Sequence, residues 1–409
     1  MNTTYDILII GGGAAGFFTA INAAENNPGV TIAILERGKD VLTKVKISGG
    51  GRCNVTHAEF VPKELSYNYP RGEKELLGPF HSFMTGDTIA WFEKKGIALK
   101  IEEDGRMFPV SDSSQTIIDC FISETERLEI AVLRSQSVRR LVKKETHWEI
   151  ETVSDTFSVK KVVVATGSNP KIWKLLEGLG HTVVPPVPSL FTFNIVDERI
   201  TNLPGIAANA SIKVLSEKNK PILESEGPLL ITHWGMSGPA VLKLSAWGAR
   251  LLEPTNYHFT IEVNWLLDLT EEEALTHLIN FKTQNPKQTL KKYAQFELPK
   301  RLWQNLVIAA SISETETWAD ITKSQLQELA EQLTKSKFKV TGKSTFKEEF
   351  VTAGGVVLKE VNFKTFESKL YENLYFAGEV LNIDAITGGF NFQNAWTGGF
   401  LVAQALSRK

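Results

Sequence analysis

Cysteine is scarce in this sequence: Cys53 and Cys120 are the only two among 409 residues. They form neither a CxxC pair nor a pattern of secreted disulfides, which excludes a dithiol relay and a disulfide scaffold and fits a reducing compartment. An excess of charge is lacking as well. With 45 Lys and Arg against 47 Asp and Glu the formal net charge is −2, so no overall positive field gathers nucleic acid or an anionic membrane. No apolar run approaches a membrane span. The N-terminus passes through Asp6 into Ile7-Leu8-Ile9-Ile10 without the basic flank and apolar stretch of a signal peptide. These absences predict a cytoplasmic protein whose partner is a small molecule, with no nucleic acid and no membrane. Repeats and low-complexity segments are also missing. The length exceeds what one core usually organises, so two or three domains are expected.

What is present starts at the N-terminus. Tyr5–Ile10 reads as a strand, Ala14–Ala24 as a helix, and Val30–Leu35 as a second strand once Asn26-Asn27-Pro28-Gly29 has broken the helix. This is a β-α-β unit. A helix follows, starting near Ser111 or Asp112 and running to Arg127, then strands at Ile130–Leu133 and Trp148–Val153 and a buried strand ending in a glycine turn at Val162–Gly167. The cluster Pro185-Pro186-Val187-Pro188 predicts a stiff boundary, because proline neither donates to a ladder nor continues a helix. Strand-like pieces at Leu190–Val196, Ile206–Leu215 and Tyr257–Asn264 then precede helices at Glu271–Gln284 and Thr322–Thr334, which reads as an inserted domain. Buried strands at Phe350–Leu358 and Leu374–Gly378 and a helix from Asn391 to Ser407 close the chain. The expected organisation is an α/β domain of residues 1–188 and 347–409, interrupted by an insert of residues 189–346.

The turn after the first strand, Gly11-Gly12-Gly13-Ala14-Ala15-Gly16, is a GxGxxG fingerprint in its proper setting. It follows a strand, opens a helix, and is answered by Glu36 twenty residues after Gly16. Gly11 permits the sharp turn, Gly13 lets backbone amides approach a pyrophosphate, and Gly16 lets the helix pack on its strand. The helix N-terminus offers N–H groups and a positive dipole end to the phosphates. Glu36 is placed for the adenosine ribose hydroxyls, and its charge opposes the extra phosphate of NADP. Both FAD and NAD carry this ADP half. Two later segments decide for FAD: the second glycine-ended strand leading to Ala165-Thr166-Gly167, and the closing strand before Gly378-Glu379, where flavoproteins usually carry aspartate.

The remaining motifs stand in one order: Lys46-Ile47-Ser48-Gly49-Gly50-Gly51-Arg52-Cys53-Asn54, Gly105–Pro109, Thr232-His233-Trp234-Gly235-Met236-Ser237-Gly238-Pro239-Ala240, Val351-Thr352-Ala353-Gly354-Gly355-Val356, and Gly378–Leu381 through Thr387-Gly388-Gly389-Phe390-Asn391-Phe392-Gln393. Together they resemble the bacterial aminoacetone-oxidase-like flavoproteins, the BaiN/RdsA-type NAD(P)/FAD-dependent oxidoreductases. The resemblance spans Tyr5 to about Ala405. It implies a discontinuous Rossmann-type FAD-binding domain whose insert has a β-barrel-like part and a helical part. It implies little about the substrate.

The cofactor-contacting set expected from these motifs is Gly11, Gly13, Ala14, Ala15, Gly16, Glu36, Arg37, Lys46, Ser48, Gly49, Gly50, Gly51, Arg52, Cys53, Asn54, Ala165, Thr166, Gly167, Gly378, Glu379, Gly388, Gly389, Phe390 and Asn391. In the Ser48–Asn54 loop, backbone amides and the Arg52 cation are read as an anion nest, and Cys53 as a packing residue rather than a redox thiol. The Gly388–Asn391 turn opens the last helix, so its amides are expected at the flavin's N1–C2 edge. His233 is an acid–base candidate, with a domain-interface role as its alternative; no metal site is expected. The functional expectation is hydride transfer between a small substrate and flavin N5, with oxygen or a transiently visiting NAD(P)H as the other redox partner. Two alternatives stay open. A flavin-dependent tRNA-modifying enzyme calls for a concentrated basic face, and a non-catalytic flavin-binding protein would show no turnover.

Overall fold

The computed structural model describes residues 3–344 and 351–407. The chain forms two compact units, one of Met1–Val187 with Lys347–Lys409, the other of Pro188–Phe346.

In the first unit the central strands are β1 (Thr3–Ile10), β2 (Ile32–Leu35) and β3 (Thr156–Val164). β1 lies between the other two and pairs in parallel with both, Ile10 standing opposite Leu35 on one side and Val164 on the other. Ile7–Ile10, Ile32–Leu35 and Val162–Val164 are all buried. Apolar runs without alternation are what a parallel sheet covered on both faces requires. Helix α1 (Ala14–Asn26) links β1 to β2 and buries both Phe17 and Phe18. Beyond β2 the sheet continues with Ala131–Leu133. The helix expected from Ser111 or Asp112 begins at Ser114, capped by the Ser113 side chain; Asp112 has φ 52°, outside helical space.

The division between the two units falls within the proline cluster, after Val187, yet the cluster is not outside a ladder. Val183–Ser189 is a strand, β4, and it pairs with β5 (Val351–Val356) in a two-stranded sheet. In this sheet β4 pairs with β5 alone, and on the side of a strand away from its partner proline's missing N–H costs no ladder bond. Phe350, the expected first residue of β5, lies outside the described residues. β6 (Leu374–Phe376) then pairs in parallel with β3, Phe376 opposite Val164. The last helix, α2 (Phe390–Leu406), packs against α1 at Gly399, where a Cβ would stand 3.0 Å from Thr19 Oγ1 and 3.2 Å from the Ala15 carbonyl oxygen. Buried hydrogen bonds pin α2 to residues 55–88: Gln393 Oε1 accepts from Thr56 and Thr88, and Trp396 Nε1 donates to the Val55 carbonyl.

In the second unit a closed barrel runs in the order Thr192–Ile195, Gly235–Ser237, Pro221–Thr232, Ala207–Leu215, His258–Asn264, Ser336–Ser344. Helices Glu271–Gln284, Lys300–Ala309 and Lys323–Thr334 share one apolar core with it. Thr270 with Glu273, and Thr322 with Gln325, form capping boxes that fix two of these starts.

Candidate functional site

β1, β2, β3 and β6 are parallel and in register, so the segments that leave them emerge at one edge of the sheet. In open α/β sheets that carboxyl edge is where ligands bind. The glycines of the first turn differ in what they meet. A Cβ on Gly11 would lie 2.3 Å from the Ala165 carbonyl oxygen, and one on Gly16 2.0 Å from that of Gly11; Gly13 faces nothing within 4 Å. α1 has no side-chain cap and no acid in its first turn. Its first N–H groups, with Ala14 and Ala15 adding little bulk, are therefore available to an anion. Glu36 is tied to this turn, its Oε2 accepting from Gly12 N (2.9 Å) and its Oε1 from Gly38 N (2.7 Å). Carboxylate oxygens have lone pairs left for ribose hydroxyls. Arg37 is exposed beside it.

The Ser48–Asn54 segment leaves helical geometry at Ser48, and Gly49, Gly50 and Gly51 all have positive φ. A left-handed residue beside a right-handed one, as at Gly51 and Arg52 (φ −97°), turns successive amides to one side, which is how an anion nest is built. Arg52 departs from the expectation that it faces the phosphate. Its guanidinium pairs with Glu102 (2.5 Å) and Asp112 (3.5 Å) and lies 3.9 Å over the Phe108 ring, so its charge is already matched within the protein. Lys46 is exposed, while its backbone carbonyl accepts from Ser114 Oγ. Cys53 is wholly buried at φ 62°, and burial pushes its thiol up to about 12. Such a thiol is inert.

At the closing strand, Gly378 (φ 74°) sits against Ala15, whose Cβ is 3.1 Å from where a Gly378 Cβ would be. Glu379 follows. Its Oε2 pairs with Lys44 Nζ (2.6 Å), its Oε1 accepts from Thr352 N (3.1 Å), and it lies 3.5 Å from a Cβ position on Gly167. Four segments distant in sequence thus meet at one carboxylate. Beyond it, Gly388 and Gly389 have φ of 130° and 97°, and α2 starts without a side-chain cap on its first turn. The Asn54 carboxamide joins this turn to the Ser48–Asn54 segment, donating to the Thr56 carbonyl and accepting from Gly389 N, both at 3.0 Å. Asn391 is occupied with structure: its carboxamide bonds both N and O of Ala385. Phe390 is buried and stacks on His57, whose Nδ1 is 3.0 Å from the Gly388 carbonyl oxygen. Burial holds the His57 imidazole below its usual range. Arg71 clasps the wholly buried Asp384 in a two-bond pair in the segment that leads into this turn.

Lys44, His57, Thr352 and the Arg71–Asp384 pair escaped the sequence reading. Each lies within or near a glycine motif, yet only the fold brings it to the edge. His233, in the second unit, is exposed on the turn between two barrel strands, with Trp234 57% exposed beside it. Among the described residues no His, Cys, Asp and Glu cluster has metal-holding geometry, and no helix is long and apolar enough to cross a membrane.

The first unit's edge fits a flavin dinucleotide on three observations of the fold. There is open space at Gly13, there are two helix N-termini without side-chain caps, and the Thr352 hydroxyl is buried without a partner. The chain matches the HI0933-like protein Rossmann domain over residues 5–405. It is 31% identical over 416 residues to a ribosomal RNA dihydrouridine synthase of Haemophilus influenzae and 30% identical over 410 residues to that of Escherichia coli, with 98% of each chain covered in both cases. A 3-dehydro-bile acid delta(4,6)-reductase of Clostridium scindens is 25% identical over 409 residues, again with 98% of both chains covered. Among solved structures, the 3-ketosteroid delta1-dehydrogenase of Sterolibacterium denitrificans shares the fold at a TM-score of 0.52 and 12% identity, covering 99% of each chain. With the family match over residues 5–405, the fold and full-length relatives in agreement, the chain belongs to the HI0933-like Rossmann family and is an FAD-dependent oxidoreductase.

Proposed function

We propose that this protein uses NAD(P)H and FAD to reduce a carbon–carbon double bond conjugated to a carbonyl, and that its substrate is a uracil base of ribosomal RNA. The observation that carries this reading is full-length similarity, at 31% and 30% identity, to two proteins named for making dihydrouridine in ribosomal RNA. The name of the delta(4,6)-reductase points to related chemistry, since an unsaturated 3-oxo steroid and uracil both hold an alkene next to a carbonyl. This revises the expectation of no nucleic acid. That expectation rested on net charge, and a sum over the whole chain does not report how charge is distributed locally. A ribosomal substrate and a nicotinamide donor are in keeping with the cytoplasmic location expected from the sequence.

FAD, when bound, supplies two-electron hydride exchange. The chain's own residues hold it and set its electrostatics. N–H groups at the start of α1 take the pyrophosphate, and Glu36, held by Gly12 and Gly38, takes the ribose hydroxyls. The α2 N-terminus favours negative charge by about 0.3–1 kcal/mol, more when buried. Asn54 fixes the Gly389 turn from below, and neutral His57 donates its Nδ1 proton to the Gly388 carbonyl. Both bonds hold the turn in its conformation, so that the α2 N-terminus would face the bound group as built.

The test is to incubate holoprotein and NADPH with ribosomal RNA from cells lacking the gene and to measure dihydrouridine by mass spectrometry. Appearance of the modified base at one position is expected. NADPH bleaching the flavin with no change in the RNA would sink the RNA substrate while leaving the reductase. The second reading, a free unsaturated ketone as substrate, is favoured by the near-neutral charge. It predicts reoxidation of the bleached flavin by such a ketone alone.

A further inference from the structure

The strand β5 carries a motif, Val351-Thr352-Ala353-Gly354-Gly355-Val356, to which the sequence attaches no role of its own. In the structure it runs alongside the closing loop, Val356 N donating to the Val380 carbonyl and Asn382 N to that of Val356, both at 3.0 Å. A Cβ on Gly355 would stand 2.5 Å from the Val380 carbonyl oxygen, so the approach is close enough to demand glycine. This packing delivers Thr352 to Glu379, whose carboxylate accepts from Thr352 N at 3.1 Å. The Thr352 side chain is anomalous there. The residue is only 2% exposed, its neighbours along the strand are apolar or glycine, and its Oγ1 has no hydrogen-bond partner. Valine has the same shape and would fill the position without a stranded hydroxyl. Of the other partnerless buried atoms, the indole nitrogens of Trp265 and Trp318 lie within the apolar core of the second unit, and Asn382 Oδ1 and Asn394 Oδ1 belong to the closing loop and α2 of the first. Thr352 instead gives its backbone N–H to the Glu379 carboxylate, which also pairs with Lys44 and faces Gly167 at the carboxyl edge of the parallel strands.

We propose that Thr352 is an FAD-binding residue, its hydroxyl hydrogen-bonding to a polar atom of the cofactor next to Glu379. The hydroxyl is then unsatisfied in the apoprotein and satisfied in the holoprotein, which sets opposite signs for the two states of a Thr352→Val variant. Removing the hydroxyl relieves the apoprotein and deprives the holoprotein of a bond.

The experiment compares wild type, Thr352→Val and Thr352→Ser for FAD dissociation constant, by quenching of flavin fluorescence on titrating deflavinated protein, and for Tm of the deflavinated protein. Thr352→Val is expected to bind FAD about tenfold more weakly while its apoprotein melts no lower than wild type. Thr352→Ser is expected to keep wild-type affinity. Unchanged affinity in Thr352→Val would overturn the proposal. So would an apoprotein of Thr352→Val that melts lower than wild type or fails to fold, because the hydroxyl would then be serving the polypeptide through a partner or a buried water. Both readouts are independent of the substrate, so they stand or fall separately from the RNA reading.

Discussion

The two glycine-rich segments of the first unit have similar composition and different physics. In Gly11–Gly16 the glycines at either end are forced by contact: Gly11 meets Ala165 and Gly16 meets Gly11, each at a distance no Cβ tolerates. In Ser48–Asn54, Gly50 and Gly51 meet nothing within 4 Å, and what excludes other residues is their φ of 68° and 85°. Gly16 needs the absence of a side chain for packing alone, Gly50 and Gly51 for backbone conformation alone, while Gly11 and Gly49 combine a positive φ with a close contact. Gly13 is a further kind, open and at ordinary φ in this structure, so whatever requires glycine there comes from outside the polypeptide.

Single alanine substitutions separate these cases. Gly16→Ala is expected to have the largest effect, destabilising by about 3 kcal/mol, because its Cβ would lie 2.0 Å from a backbone oxygen that cannot swing away. Denaturant unfolding of the deflavinated protein measures it, and a loss under half that size would break the contact argument. Gly50→Ala follows at about 1–2 kcal/mol, the strain of a left-handed alanine. Gly13→Ala is expected to cost the apoprotein less than about 1 kcal/mol, the price of a poorer N-cap, yet to weaken FAD binding about tenfold or more. If its apoprotein unfolded as readily as that of Gly16→Ala, the distinction between the two glycines would be lost.

The comparison extends to pH. His57, beside the Gly388 turn, and His181, bonded to Glu360 and Ser368, both have imidazoles held below their usual range by burial. The folded protein therefore binds these protons less readily than the unfolded chain does. Their contribution to stability is complete above the unfolded value, about 6.5, and is lost as pH falls below it towards the folded value. Thermal melts from pH 7.5 to 5 are expected to show this loss, and His181→Asn is expected to flatten the slope; an unchanged slope would mean that His181 does not supply it. The smallest effect is expected of Cys53. Its buried thiol, pushed up to about 12, should resist alkylation at pH 8 in the native protein and react on unfolding.

Legibility in the sequence followed the range of the interactions. β1, α1 and β2 were readable because periodicity, strand length and turn chemistry are local, and Glu36 was readable because its distance from Gly16 is fixed by one β-α-β unit. The cluster Pro185–Pro188 marks the boundary between the two units, as its prolines predict, but its place in the strand Val183–Ser189 is not legible, because proline's cost depends on which side of a strand is paired, and only the fold decides that. Arg52 was assigned to the ligand because its loop looked like a nest, but Glu102 and Asp112 had already claimed its charge. Lys44 gave no signal at all, since its partner lies 335 residues away.

The amino-acid order by itself determined that a dinucleotide frame opens this chain and that the tail returns to complete it, because strands, glycine turns and helix starts are encoded within a few residues. Only the tertiary structure decided which side chains stand at the completed edge, that Arg52 is neutralised, and that Thr352 is left buried without a partner. Those outcomes depend on long-range pairing of β3 with β6 and of β5 with the loop after it, and residue order alone does not carry the distances that such pairing sets.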